Sequence, residues 1–121
     1  MTKELLAVAL GGALGSILRY GFSMCAAALS LSGLYATMAA NVCGSFLIGL
    51  FMAVCSQGTP IYLLATVGLC GGFTTFSTFS AQTLQLLQAG EWFAGLGYAL
   101  LSVCCCVACV AMGQWIGRLF M

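Results

Sequence analysis

Apolar residues run in four long blocks along this chain: about Leu5 to Leu29, Leu34 to Cys55, Ile61 to Leu87 and Trp92 to Leu119. Short stretches part them: Ser30-Leu31-Ser32-Gly33, Ser56-Gln57-Gly58-Thr59-Pro60 and Gln88-Ala89-Gly90-Glu91. Each block holds the roughly 20 residues that a helix needs to cross a hydrocarbon core of about 30 Å. The pattern therefore predicts an all-α integral membrane protein, one domain over residues 1–121, with four spans and no soluble domain. Lys3 ahead of the first block superficially resembles a secretory leader, but that block is much longer than a leader's apolar core, so it reads as the first span. Pro60 suits the first turn of the third helix, where its missing N–H costs nothing.

The third block is interrupted. Gly71-Gly72-Phe73-Thr74-Thr75-Phe76-Ser77-Thr78-Phe79 is rich in glycine, hydroxyls and aromatic rings, and it falls at bilayer depth. Irregular backbone survives there only against protein, a bound ion or a water-filled cavity, because lipid cannot satisfy its polar groups. The sequence predicts a broken third helix, with unwinding around Gly71-Gly72 and function concentrated at the break. Carbonyl oxygens exposed at such an interruption can coordinate a small cation.

Composition supports the membrane reading. The chain is 63% hydrophobic and 4% charged, with a mean hydropathy of +1.15, against roughly 25% charged residues in a soluble domain. Only Lys3, Glu4, Arg19, Glu91 and Arg118 carry charge. Nucleic acid is excluded as a partner because no basic patch exists to neutralise phosphates. Cys25, Cys43, Cys55, Cys70, Cys104, Cys105, Cys106 and Cys109 lie in or beside apolar runs, where free cysteine behaves as a small hydrophobe. There is no histidine, and no nucleophile–base pair is evident within the spans, so enzymatic activity is not expected. With four spans, Lys3 and Arg118 fall on one side and the opposite loops carry neither lysine nor arginine. So slight a bias admits insertion in both orientations.

Small residues recur at helical spacing, Gly11 with Gly15 and Gly113 with Gly117, and Gly44 and Ser45 lie in the second span; such positions let helices approach closely. The remaining polar groups need a task. Arg19 would cost about 2.5–3.5 kcal/mol at the bilayer centre; it either locks the structure or snorkels, or serves as a vestibule charge that gathers anions. Asn41, with Thr37 one turn earlier, is either glue to a neighbouring helix or a donor to an anion. Phe76 and Phe79 share a helix face and can pack, or present electropositive ring edges. Such edges, with hydroxyls and an amide, could replace part of an anion's hydration without holding it too tightly to conduct. Ser102 adds a hydroxyl in the fourth span, with Cys106 one turn on.

These residues together resemble the small CrcB/Fluc fluoride channels of bacteria, across essentially the whole chain. The resemblance rests on Gly11-Gly12, Gly15 and Arg19-Tyr20, on Asn41, Gly44-Ser45-Phe46 and Gly49, and on the motif from Gly71 to Phe79. It implies a dual-topology homodimer, antiparallel in the bacterial inner membrane, with two fluoride pathways along its interface and passive fluoride export as its task. By the same resemblance Asn41 is the pore amide, Phe76 and Phe79 are the paired rings, and Thr37, Ser77, Thr78 and Ser102 belong in or beside the polar track. Arg19 is similar to the family's vestibule arginine. Gly71 and Thr74 match residues whose carbonyls hold a central structural Na+. Ser16, Ala36 and Ala40 depart from the common pattern by small-for-small changes, and Cys106 stands where a polar residue is expected.

Two other readings compete. A four-span multidrug antiporter requires an intramembrane carboxylate, and Glu4 and Glu91 merely flank spans. A non-transporting assembly subunit would leave the Asn41 stripe and the broken span with nothing to do beyond packing.

Overall fold

A computed structural model describes residues 1–121 as an all-α bundle with four helices long enough to cross a membrane. Helix α1 covers Thr2–Ala28 and α2 covers Gly33–Val54. The third span is built from pieces: α3 (Pro60–Leu63), a π-helical segment Leu64–Cys70, α4 (Gly71–Phe73) and α5 (Phe76–Gln88). Helix α6 covers Trp92–Leu119. Thr59 caps the third span, its hydroxyl accepting from Tyr62 N at 3.2 Å, and Pro60 follows in the first turn.

Glycines decide which helices touch. Gly11 and Gly15 lie against the backbone of the π-helical segment and α4: a Cβ on Gly11 would collide with Leu64 O, and one on Gly15 with Leu69 O. Gly68 and Gly72 answer from the other side, facing Val8 O and Gly12 O. Helices α2 and α6 make a second pair through Gly49 on Val110 O and Gly113 on Phe46 O. Such close approach replaces the hydrophobic drive that lipid does not supply. The rings of Phe22 and Phe73 meet edge-on, centroids 5.1 Å apart, and tie the end of α4 to α1.

The break differs in place from the one expected at Gly71-Gly72. Both glycines are helical, Gly71 at φ −63° and ψ −38°. The chain leaves the helix at Thr74 (φ −84°, ψ 156°) and Thr75 (φ −148°, ψ 115°) and re-enters it at Phe76. Gly72 is there for close packing, set against the α1 backbone, while Gly71 stays exposed; the threonines bring hydroxyls that satisfy an open backbone. Thr75 caps α5 by accepting from Thr78 N at 3.2 Å.

Replacing Gly11 or Gly113 with alanine is expected to lower the thermal midpoint of the detergent-purified protein, the overpacking costing about 1–3 kcal/mol. Gly97→Ala, with nothing within 4 Å of the new carbon, should leave it unchanged or slightly raised. Equal midpoints for all three would remove close packing as the source of the bundle's geometry.

Candidate functional site at the helix break

Backbone groups at the break have identifiable partners. Asn41, on α2, makes a two-point clamp on Thr75: its Nδ2 donates to Thr75 O at 3.1 Å, and its Oδ1 accepts from Thr75 N at 2.7 Å. One amide thus replaces the two ladder bonds that Thr75 loses by turning extended. Arg19 Nε donates to Gly72 O at 3.1 Å, so a guanidinium with few alternatives in the bilayer ties α1 to the last turn before the break. Thr74 turns back on Cys70, whose carbonyl accepts from both Thr74 N (3.0 Å) and Thr74 Oγ1 (2.8 Å). The Thr74 methyl occupies the space a Cβ on Gly44 would need.

The carbonyls of residues 71 to 74 lose their helical partners, and Arg19 takes up that of Gly72. In an unbroken helix Thr75 N would serve Gly71 O, and Thr78 N would serve Thr74 O. Here Thr75 N goes to Asn41 and Thr78 N to Thr75 Oγ1. The break therefore releases the carbonyls of Gly71 and Thr74 from the ladder.

Beside the break lies an open cleft of about 390 Å³ between α2, the third span and α6. Its polar walls come from Asn41, Ser45, Thr66, Thr74, Thr75 and Ser102, and its apolar walls include Phe76, Phe79, Ile48 and Val103. No carboxylate, lysine or arginine lines it. Phe76 and Phe79 stand with ring centroids 5.6 Å apart and planes tilted by 46°. Phe79 is buried, but Phe76 is 78% exposed in the single chain.

The structure gathers Asn41, Phe76, Phe79, Ser102, Gly71 and Thr74 around this cleft. Ser102 is buried and its hydroxyl reaches Met38 Sδ at 3.5 Å. Thr37, also buried, donates to Gly33 O of its own helix and lies outside the cleft lining. Ser77 and Thr78 are likewise off the lining and bond the Thr75 hydroxyl, at 3.3 and 3.1 Å. Arg19 sits on the α1 side of the third span, engaged with Gly72.

Three residues not singled out from the sequence belong to the arrangement. Thr75 is both the clamped residue and the cap. Tyr98 packs on Phe79 at 5.3 Å between centroids and donates its hydroxyl hydrogen to Gln82 Oε1 at 2.9 Å. The signals were present: Tyr98, Ser102 and Cys106 recur at one-turn intervals, and Gln82 is an amide in an apolar span.

A family model described as "CrcB-like protein, Camphor Resistance (CrcB)" matches residues 6–114 of the chain. Relatives named "Fluoride-specific ion channel FluC" match over nearly full length. The one from Leptospira interrogans is 42% identical over 125 residues, covering 98% of each chain. That from Phocaeicola vulgatus is 40% identical over 120 residues, covering 96% of this chain and 99% of its own. That from Shewanella denitrificans is 45% identical over 115 residues, covering 92% and 93%.

Asn41→Leu should strip both partners from Thr75, at a cost of about 1–3 kcal/mol for each unsatisfied buried group. Hydrogen exchange is expected to show the Thr75 amide losing protection while the α1 amides keep theirs. Unchanged protection at Thr75 would mean that the clamp does not hold the break.

Proposed function

The chain belongs to the CrcB-like protein family, and on that premise we infer that the cleft at the break is part of a path for fluoride. The protein is a fluoride-selective channel of the bacterial inner membrane, a multi-pass protein that carries out no catalysis and lets toxic fluoride leave passively. One observation carries this reading beyond the family: the cleft offers an amide, hydroxyls and aromatic rings but no acid or base. A proton-coupled antiporter needs a carboxylate at membrane depth, and none lies there, since Glu4 and Glu91 are exposed at or beside helix ends.

Fluoride is small and strongly hydrated, so its path must return hydrogen-bond donors and positive ring edges as water is shed. Asn41 has two N–H donors and spends one on Thr75; the second is the donor left for an ion. Phe76 and Phe79 supply the ring edges, and Tyr98 steadies Phe79. Ser102 provides a hydroxyl on the wall, and Thr37, Ser77 and Thr78 extend the polar track along the same helices. Arg19 is proposed to gather anions at the vestibule while its Nε keeps the last turn before the break in place.

The working unit is proposed to be an antiparallel homodimer with a structural Na+ at its centre. Support comes from the exposed Phe76 ring and exposed Gly71, both at the edge of the cleft. The two carbonyls freed at Gly71 and Thr74 are hard oxygen donors of the kind a small cation takes. Two are too few for a dehydrated ion, and two copies crossing at the break would give four. The slight Lys/Arg bias allows both copies to come from one chain.

Purified protein in liposomes is expected to release fluoride without a proton or sodium gradient, with negligible release of chloride. Phe76→Ile or Phe79→Ile should cut fluoride flux by about tenfold or more, the rate equivalent of about 1.4 kcal/mol, with assembly intact. Efflux that depends on a proton gradient would overturn the channel, and wild-type flux in both variants would leave the rings as packing.

Topology is tested separately. With native cysteines removed, cysteine tags at either terminus should be labelled from both sides of the membrane in active protein. Labelling from one side alone would exclude the antiparallel homodimer.

A further inference from the structure

The pairing of α5 with α6 can be followed residue by residue from the loop end to the cleft. Gly95 lies so close to α5 that a Cβ there would stand 2.9 Å from Leu87 Cδ2 and 3.4 Å from Leu86 Cβ. Three residues on, Tyr98 takes hold of α5 at two points. Its hydroxyl donates to Gln82 Oε1 at 2.9 Å, and its ring meets that of Phe79 at 5.3 Å between centroids, tilted by 44°. Phe79 and Gln82 are three apart, so they share one face of α5. The Gln82 amide is turned so that its other end, Nε2, points toward the start of α2, where a Cβ on Gly33 would lie 3.5 Å away. Gln82 borders a small second cleft there, with Ser32, Gly33 and Gln85.

We propose that Gln82 is a positioning residue for the ion path: by fixing the Tyr98 hydroxyl, it holds the Phe79 ring with its edge toward the main cleft. Orientation decides what an aromatic ring offers an anion, because its edge is electropositive and its face electronegative. The torsion that turns a phenylalanine ring is broad and resists little by itself. Neighbours must fix it. Phe79 has two aromatic neighbours, Phe76 at 5.6 Å and Tyr98 at 5.3 Å. Phe76 is 78% exposed and makes a poor wall. Tyr98 is half-buried and tethered at the far end of its ring. Without the tether the Tyr98 ring would still pack on Phe79, but both would be free to turn together. Gln82 thus acts on the cleft without lining it.

The effect on flux rests on the channel reading; the restraint of the ring does not, and the two are measured apart. 3-Fluorophenylalanine is placed at position 79 of the full chain in detergent, and 19F relaxation reads how fast the ring turns over. Gln82→Met keeps the length of the side chain and loses its carbonyl, and Tyr98→Phe removes a single oxygen. Each should speed the ring's turnover, and in liposomes slow fluoride release, by about threefold to tenfold, the rate equivalent of one hydrogen bond. The double variant should do no more than either alone, because both remove the same bond. Gln85→Met, on the second cleft but outside the seam, should change neither reading. Ring turnover unchanged in both variants, or losses of flux that multiply in the double variant, would overturn the proposal. Should Gln82→Met not assemble, unchanged turnover in Tyr98→Phe overturns it alone. A native chain that releases no fluoride overturns the channel reading instead, and the ring's turnover still decides the role of Gln82.

Discussion

Everything in this molecule is arranged around one constraint: a helix has been opened at membrane depth, and its backbone groups must find partners without water. The opening is two residues long, Thr74 and Thr75. Each neighbour supplies what the ladder lost. Asn41 from α2 takes both groups of Thr75, Arg19 from α1 takes Gly72 O, and the Thr75 hydroxyl takes Thr78 N. The polar residues of the chain are therefore spent mainly on holding the break open, and only then on a permeant ion. If Asn41 also serves the proposed fluoride path, a substitution there acts on both tasks at once.

Packing follows from the same constraint. To keep the opened strand from collapsing, the elements flanking it must be rigid. The first half of the third span is sealed to α1 by glycines facing glycines, with Gly11 and Gly15 against Gly68 and Gly72. On the far side α2 and α6 interlock through Gly49 and Gly113. The π-helical segment Leu64–Cys70 lies between these contacts. Its wide turn lets Gly68 keep to α1 while Thr66 and Cys70 line the cleft. Wide turns of this kind are frequent at functional sites.

The spans, the short connections and the small-residue seams were legible from hydropathy and spacing, because each is a local property of the chain. Asn41, Phe76, Phe79, Ser102, Gly71 and Thr74 do line one cleft, whereas Thr37, Ser77 and Thr78 lie off it, and the wiring of the break was not legible at all. Asn41 stood out as an amide in an apolar run, yet periodicity could not say that its partner would be the backbone of Thr75, distant in sequence. The break was misplaced for a related reason. Gly71-Gly72 reads as the weak point on conformational freedom, but both residues are helical, and Gly72 is there because α1 needs its lack of a side chain. The chain opens instead where Thr74 and Thr75 can cap and back-bond. Tyr98 does not stand out in the sequence because a tyrosine in an apolar span reads as packing, and its bond to Gln82 exists only once α5 and α6 are paired.

An uncharged path also explains why so few ionisable groups are tolerated inside. A fixed cation beside the cleft would attract fluoride but slow its release, and a fixed carboxylate would repel it. Arg19 avoids the first outcome: it lies on the α1 side of the third span, and its Nε is occupied by Gly72 O. Its charge still biases the local potential, while the groups nearest the cleft remain dipoles and ring edges. The proposed homodimer would complete that environment. Phe76 is 78% exposed at the cleft's rim, and a ring left facing lipid presents its edge to no ion. The same surface carries the carbonyls of Gly71 and Thr74, released from the ladder. An opened helix therefore creates both a demand for donors, met by Asn41, and a surplus of acceptors. In the proposed homodimer, a cation shared between the two copies would satisfy the surplus at Gly71 and Thr74 inside the membrane.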